Sequence, residues 1–248
     1  MSQQTPVLQV SGLNKAFGAV VVANDLNLTI QRGECIGVIG PNGAGKSSVF
    51  SLIAGVLPAD SGKVMLSGQD ITQLPVHKRV HKGIGRAFQI PQPFNGLTVY
   101  ENVLSSASSG AGLRGAEARD WACDVIERTG LASKADTLAG SLTLLDRKNL
   151  EVAKAVATRA DLLMLDEIGA GLTDREVALL IERISVLKKD HAIIWIEHIA
   201  HALKAVADRI VVLNFGEKVA DGPFDQVMSS AIVREIYMGL KDEPLDVA

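Results

Sequence analysis

Long apolar runs are missing from these 248 residues. The most extended, such as Ile210-Val211-Val212-Leu213, are far too short to cross a bilayer, so any role at a membrane is expected to pass through a partner. Cysteine is scarce. Cys35 and Cys123 sit in apolar or helical surroundings without metal-ligand spacing, which argues against a disulfide scaffold and for a reduced, cytosolic setting. An excess of one charge is missing too. The net charge is −3, with no basic tail and no charge block, so nucleic acid is not an expected partner. Met1–Pro6 lacks the basic and apolar regions of a signal peptide. All eight prolines lie outside residues 94–222, which leaves a long central stretch free to be helical. There is no internal repeat, low-complexity tract or heptad pattern. His77 and His81, and likewise His198 and His201 with Glu197, lack the further ligands a metal site needs, and the first pair reads as a solvated helix face.

What is present is an apolar fraction of 47%, ample for a sizeable core. Residues 7–40 read as strands broken by turns, with Gly62–Ser67 and Gly85–Gln89 as further strands. Residues 98–158 read as mainly helical, most clearly at Glu117–Arg128 and Arg147–Thr158. The small, polar segment from Ser105 to Gly112 is expected to be a loop between helices. From residue 161 the pattern alternates: strand Leu162–Leu165, helix Arg175–Lys188, strand Ala192–Ile196, helix Ile199–Val206, strand Ile210–Leu213. Such alternation predicts a parallel sheet covered on both faces.

The most informative segment is Gly40-Pro41-Asn42-Gly43-Ala44-Gly45-Lys46-Ser47, which fits the phosphate-binding pattern GxxxxGK followed by Ser or Thr. A short apolar strand precedes it and a helix follows. Glycines let the backbone bend around an anion and aim successive N–H groups at phosphate oxygens. The helix N-terminus adds partial positive charge. Lys46 would reach the β- and γ-phosphates and the Ser47 hydroxyl would hold Mg2+. Asp161-Leu162-Leu163-Met164-Leu165-Asp166-Glu167 supplies the acid such a loop needs. Asp166 would emerge at the C-terminal end of a buried strand, the edge at which α/β sheets bind ligands, and orient Mg2+ through water. Glu167 follows, positioned to polarise an attacking water.

With these motifs in place the chain resembles the nucleotide-binding subunit of an ABC transporter over essentially its whole length. Gln89, in Ile84-Gly85-Arg86-Ala87-Phe88-Gln89, matches the glutamine that links the γ-phosphate and metal to the membrane subunit. His198, after Ile193-Ile194-Trp195-Ile196-Glu197, matches the histidine that contacts the γ-phosphate. Phe17, in Lys15-Ala16-Phe17-Gly18, matches the aromatic that stacks on adenine. The resemblance implies an α/β fold: a P-loop NTPase (RecA-like) core with an N-terminal antiparallel β subdomain and an inserted α-helical subdomain. The single domain would divide into core and β subdomain at 1–88 and 159–248 and a helical subdomain at about 89–158. ATP would be bound by Phe17, Gly40, Asn42, Gly43, Ala44, Gly45, Lys46, Ser47, Ser48 and Gln89, with Mg2+ on Ser47, Gln89 and Asp166. Glu167, His198 and Lys46 would be catalytic.

The departure lies in the signature loop, which the family writes LSGGQ. Counting back about twenty residues from Asp166 gives Leu142-Thr143-Leu144-Leu145-Asp146. Thr143 keeps a hydroxyl, both glycines are replaced, and Asp146 stands where glutamine is usual. Thr143 and Asp146 would still face the partner subunit's ATP, with a Leu145 side chain crowding the γ-phosphate. Ile168 replaces the proline after the acidic pair, and Thr173 replaces an aspartate. In fine detail, from Arg86–Gln89 and Leu97–Val103 to the tail Ile232–Gly239, the chain is similar to the longer ATPase subunit of the branched-chain amino acid importer group, which also carries urea and amides. That implies a second ABC ATPase subunit (heterodimer, with a homodimer as alternative), two transmembrane permease subunits, a solute-binding protein and no nucleic acid. The chain would sit peripherally on the cytoplasmic face of the membrane. Rival readings are an ABC exporter subunit such as the lipopolysaccharide-extraction ATPase, a soluble ABC ATPase, and a P-loop GTPase or small-molecule kinase.

Overall fold

The computed structural model describes residues 5–238; Met1–Gln4 and 239–248 lie outside them, and with them part of the Met1–Pro6 segment and the last residue of the Ile232–Gly239 tail match. The chain opens with β1 (Leu8–Phe17) and β2 (Val20–Ile30), an antiparallel hairpin. β3 (Cys35–Ile39) then leads into α1 (Lys46–Ala54). β4 (Ser61–Leu66) and the short β5 (Gln69–Asp70) complete a four-stranded antiparallel sheet of order β2-β1-β4-β5. After α2 (Val76–His81) comes β6 (Ile84–Ala87), and then α3 (Val99–Ser109), α4 (Gly115–Arg128) and α5 (Leu144–Ala157). The remainder alternates β7 (Leu162–Asp166), α6 (Asp174–Lys188), β8 (Ala192–Ile196), α7 (Ala200–Val206), β9 (Arg209–Asn214), β10 (Glu217–Gly222), α8 (Phe224–Ser229) and α9 (Ala231–Met238).

The larger sheet has six strands in the order β10-β9-β3-β8-β7-β6. All neighbours are parallel except β10, which returns antiparallel on β9. β3, β7 and β8 are buried at every position. Their alternate residues feed two cores. Cys35, Leu163, Leu165, Ile193 and Trp195 pack with α5, α6 and α7, whereas Ile36, Val38, Met164, Ile194 and Ile196 pack with α1 and the antiparallel sheet. A strand covered on both faces reads as a continuous apolar run, which is why these three stand out in the sequence. The parallel register brings the C-terminal ends of β3, β6, β7 and β8 to one edge.

Two expectations are corrected. The segment from Ser105 is not a loop: α3 continues to Ser109. A capping box fixes its start, Thr98 accepting from the Glu101 N–H and Glu101 accepting from the Thr98 N–H. Val99, Val103 and Ala107, four apart, are fully buried, so one apolar stripe carries the helix through the serines on its other faces. β6 ends at Ala87 rather than Gln89, which frees Phe88 and Gln89 from the ladder. Among the described residues no helix is long and apolar enough to cross a membrane.

Candidate nucleotide site

The loop from Gly40 to Gly45 joins the buried end of β3 to α1. Its backbone needs glycine at two points. Gly45 has φ of 100°, and a Cβ there would meet the Val22 carbonyl oxygen at 2.5 Å. Gly40 has φ of 155°, and a Cβ would meet the Leu213 carbonyl oxygen at 2.2 Å. The loop is thus pressed between β2 and β9, and only residues without a side chain fit. Gly45 is also the N-cap of α1 and offers no side-chain cap. Among the described residues, the N–H groups of Gly43, Gly45, Lys46, Ser47 and Ser48 find no protein acceptor, while Ala44 N–H donates to Pro41 and Val49 N–H to Gly45. Five orphan donors at a helix N-terminus form a cradle for an anion. Lys46 is buried, and its Nζ donates to the carbonyls of Gly40 at 2.7 Å and Pro41 at 3.0 Å. Burial lowers its pKa, and the nearby carboxylates of Glu167 and Asp166 oppose that shift.

Facing the loop, β7 delivers Asp166 and Glu167. Asp166 is buried and ion-paired at 2.6 Å with the Arg86 guanidinium from β6. Glu167 has left-handed backbone, φ 46°, a conformation non-glycine residues rarely adopt and one often found at functional sites. Its carboxylate is gripped from two sides. Gln89 Nε2 donates to Oε2 at 2.5 Å, and His198 Nε2 lies 3.2 Å from Oε1. Lys46, Asp166, Glu167, Gln89 and His198 are therefore assembled at one sheet edge beside the glycine loop. Phe17 stands apart at the tip of the β1–β2 hairpin, 53% exposed, with the Lys15 ammonium 5.2 Å over its ring.

Thr143 and Asp146 do not join this cluster. They form the first turn of α5, where Thr143 Oγ1 accepts from the Asp146 N–H at 3.2 Å and donates to its carboxylate at 2.8 Å. Leu145, at the second of the replaced glycines, is buried within this subunit, at 8% exposed. The outward side chain is Leu144, 43% exposed, which packs towards Gly171.

Three supporting residues escaped the sequence reading. Lys148 on α5 is buried, and its Nζ donates to the carbonyl of Gln89 and, at 3.4 Å, to that of Glu167. Burial lowers its pKa, with Glu197 the foremost opposing charge. Its phase with Leu145 and Val152, on the inward side of the helix, is the signal that marks it. Glu197 is 1% exposed and accepts from the N–H groups of both Gly169 (2.9 Å) and His198 (2.8 Å). Arg86, a lone charge in an otherwise small and apolar strand, was the third.

The residues fit a nucleoside triphosphate with its divalent cation. The cradle supplies donors for phosphate, and Asp166 already sits against a positive charge. Among the described residues there is no cluster of three or more His, Cys, Asp or Glu able to hold a metal.

Comparison with known proteins agrees with this geometry. The ABC transporter family matches residues 23–170. The chain is 34% identical over 250 residues to the high-affinity branched-chain amino acid transport ATP-binding protein BraF of Pseudomonas aeruginosa, covering 94% of this chain and 98% of that one. It is 35% identical to LivG of Escherichia coli, with the same description, over 96% of this chain and 99% of that one. It is also 31% identical to the lipopolysaccharide export system ATP-binding protein LptB of Haemophilus influenzae, over 94% and 97%. Among solved structures, an ATP-binding cassette of an ABC transporter in its ADP conformation superposes with a TM-score of 0.86 at 28% identity, covering 95% of this chain and 99% of that one. A fold with an ATP-binding edge, a matching family over most of the chain and relatives of nearly equal length lead to one conclusion: the chain belongs to the ABC transporter family, as an ATP-hydrolysing subunit.

Proposed function

We propose that the chain powers uptake of branched-chain amino acids, or of a related amino acid or amide, as one of two ATPase subunits on the cytoplasmic face of a membrane importer. The observation that carries the catalytic part is the gripped carboxylate of Glu167, held by Gln89 and His198 beside the uncapped start of α1. In this reading the N–H groups of Gly43 to Ser48 and the Lys46 ammonium bind the phosphates, and Phe17 stacks on the base. Gly40, Asn42 and Ala44 shape the loop around them. Ser47, Gln89 and Asp166 would hold Mg2+, which when bound neutralises charge on the β- and γ-phosphates. Glu167 takes a proton from the attacking water while His198 orients the γ-phosphate. Thr143 and Asp146 serve the facing subunit's nucleotide.

The division into a core with β subdomain, 1–88 and 159–248, and a helical subdomain, about 89–158, is part of this reading. So is the docking of a permease helix. A groove of about 220 Å³ runs between α1, α2, β6 and α5, lined by Val56, Val76, Val80, Ile84, Phe88 and Ala155. With exposed Ile90 and Phe94 beside it on the segment after Gln89, it suits an amphipathic cytoplasmic helix. Import is favoured over export by the somewhat higher identity to BraF and LivG than to LptB. The test is reconstitution of the chain with its co-purifying membrane subunits in liposomes. ATP hydrolysis should rise when a binding protein loaded with leucine or a related solute is added. Stimulation by lipopolysaccharide, with no response to any loaded binding protein, would establish the exporter reading instead.

A further inference from the structure

Arg86 lies where two different surroundings meet. Its guanidinium donates to Asp166 Oδ2 at 2.6 Å, and both side chains are largely buried. On its other sides lie two aromatic faces, Phe88 at 4.9 Å and Phe50 at 5.8 Å. Its Nε is buried and has no hydrogen-bond partner. A structural arginine in this same fold looks different. Arg79, also buried, spends its guanidinium on four carbonyls, those of Leu74, Leu52, Ile53 and Thr72. Arg86 has one carboxylate, two π-faces and an idle donor. A guanidinium so held keeps much of its favourable surroundings when the carboxylate is taken away, because cation–π attraction to a ring persists without the anion.

We propose that Arg86 is an exchangeable counter-cation for Asp166: it neutralises the carboxylate until a divalent cation arriving with nucleotide displaces it, and the rings of Phe50 and Phe88 then keep the guanidinium. The inference rests on the reading that Asp166 serves the metal. The guanidinium and a divalent cation draw on the same carboxylate charge and repel each other, so the ion pair raises the threshold for metal capture. Because Phe88 also lines the groove beside β6, the strength of the aromatic grip is open to whatever fills that groove. Gln89 reaches Glu167 through its own side chain; Arg86 reaches Asp166, a separate link from the same segment.

The probe is Mn2+ with a non-hydrolysable ATP analogue on the full chain, with free Mn2+ read by electron paramagnetic resonance. Arg86→Met keeps the bulk and removes the charge. It should lower the Mn2+ concentration for half-saturation about tenfold, while Phe88→Leu, which loosens one arm of the aromatic grip and favours the ion pair, should raise it. Unchanged or weaker Mn2+ binding by Arg86→Met would overturn the proposal and leave Arg86 a support for Asp166. A second measurement needs no variant. In the parent chain, the side-chain nitrogen resonances of Arg86 should shift when Mg2+ is added to the analogue complex and not when the analogue is added alone; the absence of that shift also overturns the proposal. Asp166→Asn separates the two levels. If it retains parental Mn2+ affinity, the metal reading of Asp166 fails and the exchange falls with it. If it loses Mn2+ while Arg86→Met matches the parent, only the exchange fails.

Discussion

Helix α1 begins at the glycine loop and helix α5 at the proposed signature loop, and they begin in opposite ways. α1 starts from a glycine with no side-chain cap and no acidic residue in its first turn, and its leading N–H groups stay unsatisfied. α5 starts from Thr143, which caps it, and carries the Asp146 carboxylate in that turn. A helix end with free donors attracts an anion; one already capped and faced by a carboxylate has spent that attraction on itself. One end is built to receive phosphate and the other to be stable without it. In the proposed reading, this subunit would bring a strong half-site to its own nucleotide and a weak half-site to its neighbour's.

The largest effect should come from disabling the strong side. Glu167→Gln should cut turnover by about 100-fold or more, a typical scale for a general base, with ATP affinity within a few-fold of the parent. Lys46→Ala should weaken nucleotide binding itself. Parental turnover of Glu167→Gln in the assembled transporter would rule out Glu167 as the general base.

The contrast then predicts unequal sites. In mixed transporters with one glutamate disabled at a time, loss of this chain's Glu167 should harm ATPase activity more than loss of the partner's equivalent. Equal losses would break the comparison, as would purification of a transporter with a single ATPase species. In that homodimer both sites would use the same α5.

Lys148 ties α5 to the segments that carry Gln89 and Glu167, since its ammonium reaches the carbonyls of both. Lys148→Met should lower turnover about tenfold with little change in ATP affinity, and Lys148→Arg should recover most of it. A parallel loss of affinity and turnover would mean the lysine only stabilises the fold.

Smaller still should be the gain from remodelling α5. Leu144→Gly with Asp146→Gln should raise turnover at the partner's site a few-fold, read with the partner's own glutamate as the only active one. Leu145→Gly should instead cost stability, about 3 kcal/mol for emptying a buried leucine position. If Leu145→Gly activates without destabilising, its side chain does not face the core.

The last effect, confined to high pH and remote from turnover, concerns the two thiols. Cys35, fully buried at the start of β3 and at the opposite end of that strand from the nucleotide loop, has its pKa pushed up to about 12 by burial. The exposed Cys123 on α4 should therefore be alkylated first, and Cys35 only on unfolding. As pH rises above 9, the thiol of the unfolded chain ionises while that of the folded chain does not. Stability should fall by about 1.4 kcal/mol per pH unit until the folded thiol titrates in turn. Equal labelling of both cysteines in the native chain would contradict the burial.

Much of this was legible in the sequence, because the glycine loop, Asp166-Glu167 and the strands β3, β7 and β8 are contiguous and buried on both sides. What was not legible depends on residues far apart in the chain. Arg86 and Asp166 meet only because β6 lies beside β7. Lys148 acts on backbone carbonyls, which leave no trace in residue type. The direction of Leu145 follows from α5 beginning at Leu144, three residues earlier than the helical pattern suggested. The serines of α3 concealed a helix whose apolar stripe is only three residues deep on its buried side. β10, reading Glu-Lys-Val-Ala-Asp-Gly, is an edge strand with little apolar content to announce it.

Glu197 holds Gly169 and His198 by one carboxylate oxygen each, and a Cβ at position 169 would stand 2.7 Å from its Oε2. Positions 169 and 197 thus behave as one exchangeable unit. The same Cβ would stand 2.9 Å from Ile199 Cδ1, so Gly169→Ala should be tolerated only where Glu197→Asp or smaller is joined by a shift or shortening of Ile199. An engineer wishing to retune the histidine's reach has, in this pair, a lever that touches no nucleotide.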